Sequence, residues 1–347
     1  MRILGIESSC DDTAAAVVED GRRLVASERL SSALLQRRFG GVVPEVAARE
    51  HTMAILPVVE AALESAGMDL QELDAIAVTR GPGLLGALLV GVTFAKALGS
   101  SLGIPVVGVH HLEAHLYANA LEGPVQFPAL ALIVSGGHTS LLYWRAHGEL
   151  EVIGSTRDDA AGEALDKGAR LLGLPYPGGP EVERLAAEAP DAPIFRLPVA
   201  RVAGSELDFS FSGLKTATEE LARRHPGERA AIAKALQTAV VEALVQNLAR
   251  AYARYPVKHI YCAGGVTANR VLAHAVQAFA ASVGAEAHIP QPSLCTDNAA
   301  MVAAAGYFRH LSGSRLQSTA GPMTPWSLTD LGTFAGVIQE NGGDNRC

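Results

Sequence analysis

Two histidines stand four residues apart in the segment Val-His-His-Leu-Glu-Ala-His, at His111 and His115. On a helix this spacing is about one turn, so both imidazoles project from one face and can bind the same metal ion. In the H-E-x-x-H pattern of metalloproteases, the glutamate directly follows the first histidine. Glu113 instead lies roughly 200° round the helix from His111, where it cannot act on the same metal-bound water. The spacing predicts a two-histidine metal site that needs a third ligand, and ordinary helix histidines are the alternative.

The third ligand is best sought in residues 293–298, where Asp297 precedes the last clear helical pattern. Two imidazoles and one carboxylate, with open coordination positions, suit Fe²⁺ or another mid-row divalent ion better than a closed structural zinc. The alternative role for Asp297 is the N-cap of the following helix, a position that aspartate fills well. The residues alone leave both roles open.

Three turns rich in glycine or hydroxyl residues follow apolar strand patterns, at residues 7–13, 135–139 and 263–269. Such turns point backbone N–H groups and hydroxyls at a ligand, and glycine lets a phosphate approach the main chain. One such turn is weak evidence, but three at equivalent ends of a duplicated fold would face one cleft. We expect the first two turns to flank phosphates and Gly264-Gly265, which opens a helix, to suit the adenosine end.

The elements that must position these groups repeat along the chain. Strand patterns at 2–7, 13–18 and 24–30, with a hairpin signal at Asp20-Gly21, precede an αβαβ series that ends at about residue 109. A second three-strand pattern, at 128–135, 138–144 and 151–155, precedes further helices and two short strands. The repeat predicts a duplicated, two-lobed α/β fold with a cleft between the lobes.

The same pattern gives the predicted domain boundaries. Lobe I covers residues 1–108 together with about 299–321, and lobe II covers 109–298 with the metal and nucleotide motifs. Residues 322–347 are weakly patterned and are predicted to form a flexible tail.

The composition limits the class of protein. The 347 residues are enough for two domains, and 49% hydrophobic with 5% aromatic residues is typical of an α/β enzyme, which excludes a disordered or fibrous protein. The 4 cysteines form no C-x-x-C pair, so neither a disulfide framework nor a zinc knuckle is indicated. No signal peptide is recognisable, and the longest apolar stretch, at 84–97, is too short to span a bilayer. We therefore predict a cytoplasmic protein without membrane association.

The formal net charge of −8 argues against nucleic-acid binding over the whole surface. A local basic patch stays open, because guanidinium groups suit bidentate phosphate contacts. Its candidate members lie within the first fifty residues: Arg22, Arg23, Arg29, Arg37, Arg38 and Arg49. Interspersed acidic residues favour the alternative of an ordinary solvated surface.

Ten motifs together carry a resemblance to a known family. In chain order they are 5–13 (GIESSCDDT), 40–45 (GGVVPE), 80–91 (RGPGLLGALLVG), 111–115 (HLEAH), 134–139 (VSGGHT), 158–163 (DDAAGE), 174–180 (LPYPGGP), 209–215 (FSFSGLK), 264–269 (GGVTAN) and 295–298 (CTDN). The chain resembles the tRNA N6-adenosine threonylcarbamoyltransferase family (TsaD in bacteria, formerly O-sialoglycoprotein endopeptidase). The resemblance implies the duplicated ribonuclease-H-like, actin-like ATPase fold that actin, Hsp70 and sugar kinases share.

The resemblance also implies an activity and a site. The family transfers a threonylcarbamoyl group from threonylcarbamoyl-AMP to the exocyclic N6 of adenosine 37, in tRNAs that read ANN codons. His111, His115 and Asp297 would bind one divalent metal per subunit, expected to be Fe²⁺, with Zn²⁺ able to bind in vitro. The implied substrate and nucleotide residues are Val134, Ser135, Gly136, Gly137, His138, Asp166, Gly179 and Asn269. Implied partners are the tRNA anticodon stem-loop, a smaller paralogous subunit (TsaB-like) and a P-loop ATPase (TsaE-like).

One position departs from the family pattern. The family reads Cys-Asp-Glu where this chain has Cys10-Asp11-Asp12, so the second carboxylate is one methylene shorter. An adenine amine is a poor nucleophile and the donor is an activated mixed anhydride, so catalysis needs positioning and charge stabilisation more than a strong base. The hypothesis for the catalytic residues is that Asp11 or Asp12 accepts the amine proton.

Three other functions compete with this interpretation. A metallo-endopeptidase would need its glutamate at another position than Glu113 and would not need phosphate-binding turns. A small-molecule kinase or ATPase of actin-like fold would not need a two-histidine metal site. A non-enzymatic nucleotide-binding scaffold would bind adenosine nucleotides without turnover.

Overall fold

The computed structural model describes residues 1–36, 38 and 41–331. Arg37, the first glycine of the motif at 40–45, and residues 332–347 of the predicted tail lie outside the described residues.

The first sheet contains β1 (Arg2–Glu7), β2 (Asp12–Glu19), β3 (Arg23–Ser31), β4 (Ala75–Gly81) and β5 (Val106–His110). Their order across the sheet is β3-β2-β1-β4-β5. The first three strands form an antiparallel meander, and β4 and β5 extend the sheet in parallel from β1.

The second sheet contains β6 (Ala129–Val134), β7 (Thr139–Ala146), β8 (Glu149–Ser155), β9 (His259–Ala263) and β10 (Glu286–His288). Their order is β10-β9-β6-β7-β8, again an antiparallel meander extended by two parallel strands. Read from the third strand of each meander, the two sheets have the same topology. The predicted duplicated α/β fold is therefore confirmed.

Eleven α-helices lie in the described part of the chain. They are α1 (Ala33–Gln36), α2 (Pro44–Ala66), α3 (Leu85–Leu102), α4 (His111–Tyr117), α5 (Ala161–Leu171), α6 (Gly178–Ala186), α7 (Ser212–Arg224), α8 (Arg229–Arg254), α9 (Arg270–Ser282), α10 (Pro292–Cys295) and α11 (Ala299–Leu311).

The helices and sheets stack in five layers. Successive side chains of a strand face opposite sides of its sheet, so Leu4 and Ile6 pack against α2 and α3 while Ile3 packs towards α4 and α11. The inner face of the second sheet joins this same cluster, and its outer face is covered by α5 to α9. Helices α4 and α11 thus form a middle layer shared by the two sheets.

The middle layer lies very close to the first sheet. A Cβ added at Gly5 would lie 2.2 Å from the carbonyl oxygen of Ala299, so only glycine allows α11 to approach β1 this closely. This contact fixes the start of α11, and with it the residues just before that helix, relative to β1.

The predicted hairpin between β2 and β3 is confirmed. Asp20 and Gly21 both have left-handed backbone angles, with φ of 52° and 68°. Asp20 tolerates this conformation, and its carboxylate also accepts a hydrogen bond from the N-terminal amino group at 2.6 Å.

Helix α3 is longer than the apolar stretch recognised in the sequence. Its 18 residues are long and apolar enough to cross a membrane by length and composition alone. In this structure Leu88, Val92 and Ala95 of α3 are buried against the first sheet, between β4 and β5 in the chain. That is the position of a core helix of a βαβ unit.

Residues 314–331 run along the body of the protein. The Leu316 N–H donates to Val106 O at 2.7 Å, the Met323 N–H to Arg80 O at 2.8 Å, and the His110 ring to Trp326 O at 3.2 Å. These bonds hold residues 322–331, which the sequence analysis assigns to the tail, against the first sheet.

Candidate metal centre and nucleotide site

The histidine pair lies on α4, which begins directly at the end of β5. The imidazoles of His111 and His115 have ring centroids 4.7 Å apart, and both side chains are buried. His110 caps the helix, because its Nδ1 accepts the N–H of Leu112 at 3.2 Å. The prediction that both histidines share one helix face is confirmed.

Asp297 meets both histidines. Its Oδ1 lies 3.5 Å from Nε2 of His111 and 3.2 Å from Nε2 of His115. The N-cap of α11 is Asn298, whose side chain accepts the N–H of Met301 at 2.9 Å. The alternative role of Asp297 as that cap is therefore excluded, and its carboxylate is directed at the imidazoles.

The three side chains fit a divalent metal ion. His115 is fully buried; its Nε2 faces only the Asp297 carboxylate, and within the described residues its Nδ1 has no hydrogen-bond partner. A buried nitrogen without a partner is costly unless another ligand satisfies it. Two imidazole nitrogens and a carboxylate oxygen are also donors that Fe²⁺ and Zn²⁺ accept.

Glu7 is a functional residue that the sequence analysis missed. Its Oε2 accepts hydrogen bonds from Nδ1 of His111 at 3.1 Å and from the hydroxyl of Thr79 at 2.7 Å. Its Oε1 accepts the N–H of Ser9 at 2.6 Å. A carboxylate on the far nitrogen fixes the tautomer and orientation of a metal-binding histidine, and here it leaves Nε2 of His111 directed at Asp297, where an ion would bind.

These charges perturb one another strongly. Burial lowers the pKa of His111, but Asp297 and Glu7 outweigh it and raise that pKa to about 9. Burial raises the pKa of Asp297, yet His111 and His115 bring it well below its usual range. Without a metal, the protonated His111 and the Asp297 carboxylate therefore form an ion pair. A bound cation would displace the proton from His111.

Asp11 lies at the end of the turn after β1, and Asp12 is the first residue of β2. Burial raises the pKa of both carboxyls, that of Asp12 to about 6. The guanidinium of Arg29 lies 3.4 Å from Asp12 Oδ2 and donates to Thr296 Oγ1 at 3.0 Å. Arg29, which the sequence assigns only to a surface patch, thus connects Asp12 to the loop that carries Asp297.

Glu113 faces away from the histidines. It is fully buried, and its Oε2 accepts a hydrogen bond from Nε of Arg309 on α11 at 2.7 Å. This contact confirms that Glu113 is not the base of a metalloprotease.

The predicted nucleotide turn follows β6. The Ser135 N–H donates to His138 O at 2.8 Å, and the His138 N–H donates to Ser135 Oγ at 3.2 Å, which closes a tight turn after Val134. Gly136 and Gly137 are exposed, and a Cβ on either would meet no atom within 4 Å. The backbone of these two glycines is therefore open to a ligand.

The last residue of this turn, His138, senses the charges of His111 and His115. Burial lowers its pKa to about 4, and the charges of His111 and His115 act in the same direction. His138 is therefore neutral near pH 7 and can donate or accept a single hydrogen bond at each ring nitrogen.

The remaining predicted nucleotide residues surround the same end of the second sheet. Asp166 Oδ1 accepts the N–H of Gly178 at 2.7 Å, and the Cα of Gly179 is open on its Cβ side. Asn269 has a structural role, since its Oδ1 caps α9 at Val271 N and its Nδ2 donates to Gln237 at 3.0 Å. Its side chain is therefore already engaged within the protein.

A cleft of about 570 Å³ opens beside α9. Its wall includes Pro180, Glu183, Gln237, Arg270 and Val271. The volume lies in the range that binds small-molecule ligands, and the cleft adjoins Gly179 and Asn269 in the chain.

Known proteins are similar to this chain over most of its length. Residues 23–304 match the family described as tRNA N6-adenosine threonylcarbamoyltransferase. A protein of that name from Geobacillus thermodenitrificans is 50% identical over 337 residues, which cover 93% of this chain and 96% of the relative.

Two solved structures share the fold at low identity. HypF from T. kodakarensis has a TM-score of 0.61 at 15% identity, over 90% of this chain and 48% of that one. Component A of the Acidaminococcus fermentans (R)-2-hydroxyglutaryl-CoA dehydratase has a TM-score of 0.53 at 16% identity, over 88% and 98%. These two structures confirm the predicted actin-like fold. Because the family match covers most of the chain, this chain belongs to the tRNA N6-adenosine threonylcarbamoyltransferase family.

Proposed function

We propose that this chain transfers a threonylcarbamoyl group from threonylcarbamoyl-AMP to N6 of adenosine 37 in tRNAs that read ANN codons. The observation that carries the proposal is the cluster of His111, His115 and Asp297, two buried imidazoles and a partly buried carboxylate, in a chain that belongs to the transferase family. The open glycine turn at 135–138 supports a nucleotide-linked donor.

We assign the metal to this trio and propose Fe²⁺ as the native ion, with Zn²⁺ able to bind in vitro. When bound, the ion would supply Lewis-acid polarisation of the donor. Glu7 would hold His111 in the productive orientation through its hydrogen bond to Nδ1.

The remaining steps fall to the chain itself. Backbone N–H groups of residues 134–138 would bind the donor phosphate, and Asp166, Gly179 and Asn269 would line the adenosine side. The amine attacks the carbonyl carbon, the bond to the phosphate oxygen breaks, and AMP leaves. Asp12, whose pKa is raised to about 6, would accept the amine proton, with Asp11 as the alternative.

An apolar surface on the first lobe is proposed for the smaller paralogous partner. Met53 on α2 is 77% exposed and Leu34 on α1 is 74% exposed, and Leu56, Leu85 and Leu89 are also exposed. Contiguous exposed apolar side chains of this size mark interaction surfaces. From the family resemblance we also propose a P-loop ATPase partner and a cytoplasmic location. From the chain pattern we propose lobe I at 1–108 with 299–321 and lobe II at 109–298.

Nucleoside mass spectrometry tests the function. Unmodified tRNA is incubated with the chain, threonine, bicarbonate, ATP, a synthase and the partner proteins, and digested nucleosides are analysed. We expect threonylcarbamoyl-adenosine with the wild type and its loss with His111→Ala, while His274→Ala, an exposed histidine of α9, keeps activity. No product from the wild type, with partners shown competent using another transferase, would contradict the proposal.

A further inference from the structure

A second group of metal-ligand side chains lies at the edge of the second sheet, away from α4. His259 begins β9, and Glu286 and His288 lie on the neighbouring edge strand β10. The parallel register pairs Glu286 with His259, so the three side chains come together. Nδ1 of His259 lies 3.1 Å from Nε2 of His288, and Glu286 Oε2 lies 3.8 Å from each.

We propose that His259, Glu286 and His288 form a second metal site, selective for a divalent transition ion such as Zn²⁺. Ligand atoms at about 2.1 Å from a tetrahedral ion are about 3.4 Å apart. The three separations, 3.1, 3.8 and 3.8 Å, bracket that value. Two imidazoles with one carboxylate are borderline donors that bind Zn²⁺ better than Mg²⁺ or Ca²⁺.

The ring of His288 is held in place before an ion arrives. The His288 ring stacks on Tyr261 with centroids 4.5 Å apart and an angle of 18° between the planes. The Tyr261 hydroxyl in turn accepts the N–H of Gln126 at 2.8 Å. A ligand whose orientation is already fixed loses less conformational entropy when it binds an ion.

The site is accessible from solvent. The side chains of His259 and His288 are 13% and 26% exposed, whereas that of Glu286 is 66% exposed. The ion would enter from the Glu286 side and keep water in its fourth position. A hydrogen bond between the two imidazoles is the competing explanation of their contact, and it requires no carboxylate.

The expected role of the ion is to fasten β10, a strand of three residues, to β9. Short edge strands are held by few ladder bonds, so a metal crosslink would strengthen this edge. The chain runs from β10 through the short helix α10 to Asp297, which connects the edge to the centre on α4.

Equilibrium dialysis of the tag-free chain against Zn²⁺, followed by metal analysis, tests the proposal. We expect two ions per wild-type chain, one after His259→Ala/His288→Ala, and one after His111→Ala/His115→Ala. The four-histidine variant should bind none. A wild type that binds one ion, lost with His111→Ala/His115→Ala, would overturn the second site, as would two ions retained by His259→Ala/His288→Ala.

A milder variant covers the case in which the double substitution disturbs folding. Glu286→Gln keeps the size of an exposed side chain, so the fold should be unchanged by circular dichroism. In the His111→Ala/His115→Ala background it should weaken Zn²⁺ binding at least tenfold, whereas His274→Ala in the same background should not. An unchanged affinity for Glu286→Gln would exclude the carboxylate and overturn the three-ligand site.

Discussion

The two lobes place different chemistry at the same topological position, the loop after the first strand of each meander. In the first lobe the last paired residues are Glu7 and Ala14, and the loop between them contains two serines, a cysteine and two aspartates. In the second lobe the last pair is Val134 and Thr139, and the shorter loop is Ser-Gly-Gly-His.

This difference suits the loop after β1 and the loop after β6 to different parts of the proposed reaction. The longer loop begins at a buried carboxylate, Glu7, that orients His111, and it carries Asp12 near the loop of Asp297. The shorter loop exposes the backbone of Gly136 and Gly137, which suits phosphate. The two sheets thus have equivalent loops, and under the proposed function one would serve acid and metal chemistry while the other would bind the donor.

The largest expected effect is at the proposed metal ligands, His111 and His115. His111→Ala or His115→Ala should reduce transfer about 10³-fold, because a Lewis acid contributes several kcal/mol to transition-state stabilisation. Product per unit time by nucleoside mass spectrometry, with bound metal measured in parallel, checks this. Full activity in a variant without metal would show that the trio has only a structural role.

The second prediction concerns Asp12, the proposed base of the acidic loop in the first lobe. With its pKa at about 6, Asp12 is the carboxylate above that pH, so transfer should rise about tenfold per pH unit below pH 6 and level off above it. Asp12→Asn should lose about 10²-fold at pH 8 and flatten the profile. A pH profile of kcat that is the same in both proteins would exclude Asp12 as the base.

Glu7→Gln should act through His111. The amide keeps the shape but loses the charge that fixes the imidazole, and loss of such a supporting carboxylate costs about 10–100-fold in metal affinity or activity. Metal titration by calorimetry measures the affinity, and Thr79→Val, which removes only one donor to Glu7, is expected to have a smaller effect. Equal affinities for wild type and Glu7→Gln would refute this role.

The smallest expected effect comes from two glycines at the second loop. Gly137 lies in the loop and is open, whereas Gly162 lies on α5 and packs against the loop. Gly137→Ala adds a methyl group in open space, so stability should not change while donor binding weakens about tenfold, or about 1.4 kcal/mol. Gly162→Ala places its Cβ 2.6 Å from Ser135 O and should lower stability by about 1–3 kcal/mol. Donor binding by calorimetry and thermal unfolding check both, and a Gly137→Ala chain that binds donor normally would exclude phosphate at this loop.

Local patterns in the sequence were sufficient for most of the fold. The Asp20-Gly21 turn, the two meanders and the shared face of His111 and His115 each depend on residues close in the chain, and all are confirmed. Long-range contacts were not visible. Glu7 appears in the sequence as the polar end of a strand, and its partner His111 is 104 residues away.

Two further differences have the same origin. Asp297 and Asn298 are both good N-caps by residue type, and only the approach of α4 decides which one caps and which one faces the histidines. Residues 322–331 carry no periodic pattern; they are held by the backbone bond from Met323 N–H to Arg80 O, by the His110 ring, which donates to Trp326 O, and by the single buried side chain of Leu328. Neither relation leaves a signal in a single local window.

The contact between α11 and Gly5 also determines the order in which a newly made chain can fold. The first sheet is complete at His110 and α4 follows it directly, but α11, the larger helix of the middle layer, begins only at Ala299. A ribosome adds about 5–20 residues per second, so about 10–40 s separate the two events. During that interval the part of the inner apolar face that packs against α11, around Gly5 of β1, lacks that helix. Asp297 emerges immediately before α11, so it meets His111 and His115 at the same late step in which α11 packs on the first sheet.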